Sequence, residues 1–114
     1  MSRTNIQMET IGQTLRNKRK ELGLLLRQVS AYADVDQAIL SKIERNERKP
    51  TKRMLDKFSE ILELDKEKLM VEFLSDKIAY ELAQEDCAQK ALKVAEKKIE
   101  FLKSQKTTFE NESI

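Results

Sequence analysis

The stretch that decides the fold is Leu26–Arg45, LRQVSAYADVDQAILSKIER. Apolar side chains recur on one face of each half of this stretch, at Val29 and Ala33 and then at Leu40 and Ile43. Between the halves, Asp34 tolerates the left-handed backbone of a tight turn and Asp36 is a favourable N-cap. The pattern predicts two short helices, Leu26–Ala33 and Gln37–Arg45, joined by a tight turn.

Three further helices are predicted around this pair. The first fits Thr10–Leu22 and stops at Gly23, a natural helix terminator. The fourth is capped by Thr51 and runs to Leu62, and the fifth is capped by Asp65 and runs to about Phe73. Each carries an apolar stripe at helical spacing. We therefore expect residues 10–74 to form one small five-helix domain, after a flexible tail at residues 1–9.

Residues 75–106 lack Pro and Gly and are predicted to form one long helix, followed by a frayed tail at 107–114. The apolar positions of this segment are Ile78, Leu82, Leu92, Ala95, Ile99 and Leu102. The last four follow the 3-4-3 steps of a heptad seam. Three roles stay open: the helix pairs with its twin in a homodimer, folds back on its own domain, or binds another protein. The seam favours dimerisation.

Composition supports an all-α protein, because 2 glycines, 1 proline and 5% aromatic residues leave little material for sheets and their turns. The net charge of +2 hides a split: residues 1–53 carry 12 Lys and Arg against 6 Asp and Glu, whereas residues 54–114 carry 10 against 14. A basic half suits a phosphate-binding surface, although an uneven solvated surface explains the charge equally well.

Several classes of function find no support in the residue inventory. One cysteine allows no disulfide within the chain, and the absence of histidine leaves too few ligands for a zinc site. Neither a nucleophile–base pair nor a Gly-rich phosphate loop is present. We therefore expect no enzyme activity and no cofactor. The lack of a long apolar run or a signal peptide predicts a cytoplasmic protein without a membrane partner.

Two short helices around a tight turn suit one physical task, in which the second helix lies in the major groove of double-stranded DNA. If Leu40 and Ile43 face the core, the outward side chains are Gln37, Ala38, Ser41, Lys42 and Arg45. Gln pairs with adenine, Lys with guanine or phosphate, and Ala packs on a thymine methyl. Basic residues nearby would contact phosphates, namely Arg48, Lys49, Lys52 and Arg53. The alternative is that these are ordinary solvated surface residues.

The chain resembles the Cro/phage-repressor (XRE) class across residues 10–70. The resemblance starts with Ile11–Gly23, IGQTLRNKRKELG, and continues at Val29, Ala33, Val35, Leu40, Ser41, Lys42, Ile43, Glu44 and Pro50, then at Leu55, Phe58, Leu62, Asp65 and Leu69. It implies a five-helix lambda-repressor-like DNA-binding domain. It also implies base contacts at Gln37, Ala38 and Lys42, phosphate contacts at Arg45, Lys49 and Lys52, and a structural ion pair between Arg19 and Glu44.

One departure from the class lies at the start of the second helix. Where the class has Ser or Thr followed by Gln, this chain has Leu25 and Leu26. Either the helix is capped by other means, or Arg27 and Gln28 take over the phosphate contact. The class Gly in the turn is replaced by Asp34.

The leading functional hypothesis is a sequence-specific transcriptional regulator that binds a palindromic operator as a homodimer. Two units about 34 Å apart would read one palindrome. Autoregulation is suggested by analogy with short members of the class. The alternative is a protein–protein interaction module, such as an antitoxin or helical adaptor, that engages a protein partner through the C-terminal helix.

Overall fold

The computed structural model describes residues 9–112, with side chains described for residues 9–106. This part of the chain contains six helices and no strand, which confirms the all-α fold. Their bounds are α1 Ile11–Glu21, α2 Leu26–Ala33, α3 Gln37–Glu44, α4 Lys52–Ile61, α5 Lys66–Leu82 and α6 Ala88–Glu112. Residues 1–8 of the predicted N-terminal tail lie outside the described residues.

Side-chain caps fix where most of the helices begin. Thr10 and Gln13 form a reciprocal capping box at α1, with both bonds at 3.2 Å. Asp36 accepts from the Ala38 amide at 2.7 Å, and Thr51 accepts from the Met54 amide at 3.2 Å. Asp65 likewise accepts from the Lys68 amide at 3.0 Å. These caps set the helix starts that the sequence predicted.

Left-handed residues set the turns between the helices. Gly23 ends the α1 segment with φ 71°, and Asp34 takes φ 56° in the turn between α2 and α3. Asn46 and Glu63 do the same after α3 and α4, with φ 63° and 55°. Asn and Asp tolerate this conformation, whereas Glu adopts it rarely. The chain reverses direction sharply at each of these positions, so α1–α4 pack as short, closely connected helices.

The helices meet around one apolar core. Its buried members are Ile11, Leu15, Val29, Ala33, Leu40, Ile43, Leu55, Phe58, Leu62, Leu69 and Phe73. Phe58 is fully enclosed, with 0% of its surface exposed. The core draws on all of α1–α4 and on the first half of α5, so the helix-turn-helix pair is braced by three other helices.

Gly12 permits the close approach of α1 to the end of α3. A Cβ atom at this position would lie 2.1 Å from the backbone oxygen of Ile43. Backbone oxygen cannot move aside as a side-chain tip can, so only glycine fits here. Periodicity along α1 does not reveal this requirement, because it depends on a partner 31 residues away.

The prediction of one long helix over residues 75–106 is wrong, because this segment holds parts of two helices separated at residues 83–87. Helix α5 does not end at Phe73 but continues to Leu82, and α6 starts only at Ala88. Residues 83–87 carry Glu85 and Asp86 and no apolar stripe, so no buried face holds them helical. Acidic side chains also disfavour the C-terminus of α5 and favour the N-terminus of α6. At its far end, α6 extends to Glu112, and residues 113–114 of the predicted tail lie outside the described residues.

The chain divides into two compact units, residues 1–78 and 79–114. The first holds α1–α4, most of α5 and the whole buried core. The second consists of the end of α5 and the 25-residue α6, none of whose described side chains is buried. Within residues 9–112, no helix is long and apolar enough to cross a membrane.

Candidate nucleic-acid interface

Helix α3 has one face fixed in the core and one face toward solvent. Leu40 and Ile43 are each only 1% exposed, so they determine how the helix is rotated. The opposite face carries the predicted base-contacting residues: Gln37, Ala38 and Lys42 are exposed, and Ser41 is half-buried. The structure therefore brings all four to one side of an eight-residue helix whose inner side is anchored.

Arg19 and Glu44 tie α1 to α3. The Arg19 Nε atom donates to Glu44 Oε2 at 2.7 Å and Nη2 donates to Oε1 at 3.0 Å, which makes the pair bidentate. Nη1 donates to the backbone oxygen of Leu24 at 3.0 Å. Glu44 is 6% exposed, and its hydrogen bond raises the pKa of Arg19. The pair fixes the C-terminal end of α3 against the first helix.

The start of α2 shows how this helix is capped although Leu25 and Leu26 replace the polar residues of the class. The Gln28 side-chain oxygen accepts a hydrogen bond from the Leu25 amide at 2.7 Å, so the helix is capped by its third residue. Gln28 and Arg27 are both exposed at this end of the helix. Gln28 thus satisfies the amide of the N-cap residue, whereas Leu25 makes no side-chain cap to the first turn of α2.

The predicted phosphate-binding cations lie on the surface around α3. Arg45, Arg48, Lys49, Lys52 and Arg53 are all exposed, and they occupy the segment from the end of α3 to the first turn of α4. Pro50 is buried in the middle of this segment and anchors it. Five cations within nine residues give the segment a strongly positive potential.

The sequence reasoning missed two residues at this surface. Arg16, an exposed residue of α1, lines a polar cavity of about 170 Å³ together with Ser41 and Arg45. Glu47 pairs with Arg45, with Arg45 Nε 3.0 Å from Glu47 Oε2. The excess of basic residues in α1 could have signalled Arg16. Nothing in the periodicity points to Glu47, because it lies in a loop.

Among the residues that the structure describes, no group of three His, Cys, Asp or Glu side chains could hold a metal ion. A second cavity, of about 420 Å³, lies beside the turn between α2 and α3 and is lined by Ala33, Val35, Thr51, Arg53 and Met54 among others.

The sequence profile of the helix-turn-helix family matches residues 15–69, which run from within α1 to the start of α5 and include α2, α3 and α4. The N-terminal DNA-binding domain of SinR from Bacillus subtilis is 36% identical over 53% of this chain and 88% of its own length, with a TM-score of 0.49. The chain belongs to the XRE-type helix-turn-helix family. It is accordingly a DNA-binding transcriptional regulator by family.

Two solved structures extend the comparison of this helix-turn-helix protein beyond the DNA-binding segment. SinR in its complex with SinI protein is 26% identical over 83% of this chain and 99% of its own length, with a TM-score of 0.51. The clp gene regulator ClgR from Corynebacterium glutamicum is 26% identical over 69% of this chain and 83% of its own length, with a TM-score of 0.50. Among curated proteins, no sequence matches the chain significantly.

The predicted dimerisation residues of this helix-turn-helix protein lie on both sides of the break in the C-terminal part of the chain. Ile78 and Leu82 are in α5, and Leu92, Ala95, Ile99 and Leu102 are in α6. Ile78, Ile99 and Leu102 are 46%, 49% and 63% exposed. Val94 and Phe101, which the heptad pattern did not include, are equally exposed at 50% and 60%. At 100° per residue, Val94 and Phe101 fall on the side of α6 opposite the predicted seam.

Proposed function

We propose that this protein is a sequence-specific regulator of transcription that inserts α3 into the major groove of double-stranded DNA. The observation that carries the proposal is the division of α3 into a buried face, Leu40 and Ile43, and an outward face. Base contacts are assigned to that outward face, at Gln37, Ala38, Ser41 and Lys42. Support also comes from SinR, which is 35% identical and whose crystal structure is described as a complex with DNA.

Phosphate contacts in this proposal surround α3. On one side are Arg27 and Gln28 at the start of α2, and on the other are Arg45, Arg48, Lys49, Lys52 and Arg53. Phosphates orient the helix without reading sequence, and the base edges supply the specificity. Because Ala38 offers no hydrogen bond to a base, sequence discrimination depends chiefly on Gln37 and Lys42 and on DNA shape.

The proposal includes a homodimer that binds a palindrome. One unit reads only a few base pairs, whereas two linked units raise the apparent affinity by about 10²–10⁴-fold. The exposed apolar side chains of the predicted seam, above all Ile99 and Leu102, are the surface on which we place dimerisation. Water-exposed apolar clusters of this kind commonly mark protein–protein contacts. Control of its own gene is compatible with this arrangement.

The deciding experiment selects bound duplexes from a random-sequence pool with the full chain. The proposal predicts an enriched inverted repeat whose half-sites lie about one helical turn apart. An enriched but non-repeated site would retain sequence-specific binding and reject the symmetric dimer. A pool that stays random after several rounds would contradict sequence-specific binding altogether.

A second candidate function is engagement of another protein through α6. It is favoured by the same exposed apolar residues and by the likeness to SinR in its complex with SinI protein. The two functions are compatible, because DNA binding uses α3 and the partner would use α6. Binding that persists at high salt and ignores Lys42→Ala would mark the protein partner, since phosphate-dependent binding weakens steeply with salt.

A further inference from the structure

Arg45 follows α3 at the edge of the proposed interface, and its guanidinium is hydrogen-bonded to the carboxylate of Glu47. Nε donates to Glu47 Oε2 at 3.0 Å and Nη2 donates to Glu47 Oε1 at 3.2 Å. Nη1 donates to the Ser41 hydroxyl on α3. A carboxylate and a phosphate bind the same planar fork of donors, so Glu47 stands where a DNA phosphate would bind.

Glu47 carries a negative charge within a segment that is otherwise basic. Residues 45–53 hold five Lys and Arg residues, and Glu47 is their one acidic residue. The hydrogen bond from Arg45 lowers the pKa of Glu47, and the charges of Arg45 and Lys42 act in the same direction. Glu47 is therefore ionised at neutral pH and lies within electrostatic reach of two cations assigned to DNA.

Fold stability does not account for this pair. The side chains of Arg45 and Glu47 are 47% and 55% exposed. An exposed ion pair contributes only about 0–1 kcal/mol to stability. Two other acidic side chains next to α3 have structural roles: Asp36 caps the helix, and Glu44 forms an ion pair with Arg19. No comparable role for Glu47 emerges from its contacts.

We infer that Glu47 is an intramolecular competitor of DNA phosphate at Arg45, an inference that rests on the proposed function. In the free protein the carboxylate holds the guanidinium, and DNA must displace it before Arg45 contacts a phosphate. Because phosphates are the same at every sequence, the competition lowers affinity for all duplexes alike. Glu47 thus keeps non-specific binding weak and leaves the discrimination between sequences to the outward face of α3.

The test compares the wild type with Glu47→Gln, Arg45→Gln and the double variant, each as the full chain. Fluorescence anisotropy measures affinity for the duplex selected from the random pool and for a mixed-sequence duplex across a salt series. Glu63→Gln is the matched control, because it removes the same charge beyond the opposite end of α4, which at ten residues is about 15 Å long.

Glu47→Gln is expected to tighten binding to both duplexes by about two- to fivefold at moderate salt, the range set by an exposed ion pair. The slope of log K against log salt should change by much less than the roughly 0.9 of one phosphate contact, because Arg45 neutralises a phosphate in both complexes once Glu47 is displaced. When Arg45 is already replaced by Gln, the Glu47→Gln change should no longer raise the affinity for DNA, because Glu47 has no guanidinium to compete for. Glu63→Gln should change neither quantity.

Three outcomes would overturn part of this account. A wild-type chain that binds and a Glu47→Gln variant that binds no better would reject the inference and leave the proposed function standing. An equal gain in the Arg45→Gln background would show that Glu47 acts as a general negative charge and not through Arg45. A wild-type chain with no salt-dependent affinity for any duplex would reject the proposed function, and the inference with it.

Discussion

Helices α3 and α6 differ in how much of their side-chain surface is buried. Helix α3 has eight residues and buries Leu40, Ile43 and Glu44, whereas α6 has 25 residues and none of its described side chains is buried. The short helix is too short to be stable by itself and owes its position to tertiary contacts. The long helix keeps Ile99, Phe101 and Leu102 exposed. Burial therefore fixes the position of α3, to which we assign DNA recognition, whereas α6 leaves an apolar surface open, to which we assign association.

The largest effect on DNA affinity is expected from placing charges in the proposed dimer seam of α6. Leu92→Asp combined with Ile99→Asp should produce monomers, because two charges would be placed in the predicted seam. Loss of the second half-site should weaken operator binding by about 10²–10⁴-fold. Sedimentation velocity and anisotropy with the selected duplex measure the two effects. A variant that still sediments as a dimer would mean that the seam lies elsewhere on α6.

Removing Glu44 should destabilise the fold at the C-terminal end of α3, because its ion-pair partner is left unpaired. Glu44→Ala leaves the Arg19 guanidinium, whose side chain is 13% exposed, without its bidentate partner. Stranding a charge in this way costs roughly 3–5 kcal/mol, with the lower end expected because Leu24 still accepts from Arg19. Urea unfolding measures the loss. Glu63→Ala is the exposed control and should shift the urea midpoint little. Equal shifts for the two variants would show that Glu44 has no special structural role.

A matched pair of leucines sharpens the comparison between the two helices. Leu40→Ala removes a side chain that is 1% exposed and should cost about 2–5 kcal/mol. Leu102→Ala removes one that is 63% exposed and should change the stability of the dilute chain by no more than about 0.5 kcal/mol. Thermal unfolding at low protein concentration makes the comparison. A large loss for Leu102→Ala under these conditions would mean that the dilute chain already covers α6.

The smallest effect concerns Glu47. Because Arg45 lowers its pKa, Arg45→Gln should raise the Glu47 pKa toward the ordinary glutamate range. The depressed pKa means that the pair adds stability above the unfolded-state pKa, and this contribution is lost as pH falls through the folded-state pKa. NMR titration of the Glu47 carboxyl carbon in the two proteins measures the difference. Identical titration curves would show that the pair does not form in solution.

The sequence predicted those features that depend on neighbours along the chain. Helices α1–α4 begin and end within about two residues of their expected bounds, because caps such as Thr10, Asp36 and Thr51 act locally. The rotation of α3 followed from the spacing of Leu40 and Ile43. The left-handed turn at Asp34 was likewise readable from a residue type that tolerates it.

What the sequence did not reveal depends on contacts between distant or irregular segments. Gly12 is required by the approach of Ile43, and Arg16 reaches the interface only because α1 packs beside α3. The break after Leu82 has neither Pro nor Gly to mark it. It arises where apolar residues are missing, and a helix-forming composition conceals such a gap. The Arg45–Glu47 pair is a loop contact without any periodic signal.

We propose that the outward face of α3 reads DNA bases. Selection from a random duplex pool, run in parallel with the wild type, Lys42→Ala and Lys68→Ala, tests it most directly. Lys68 is an exposed lysine of α5, so its loss changes the charge equally without touching α3. The account predicts that Lys42→Ala relaxes base preference at one position of each half-site, while Lys68→Ala leaves the selected sequence unchanged. The same selected sequence from all three proteins would contradict it.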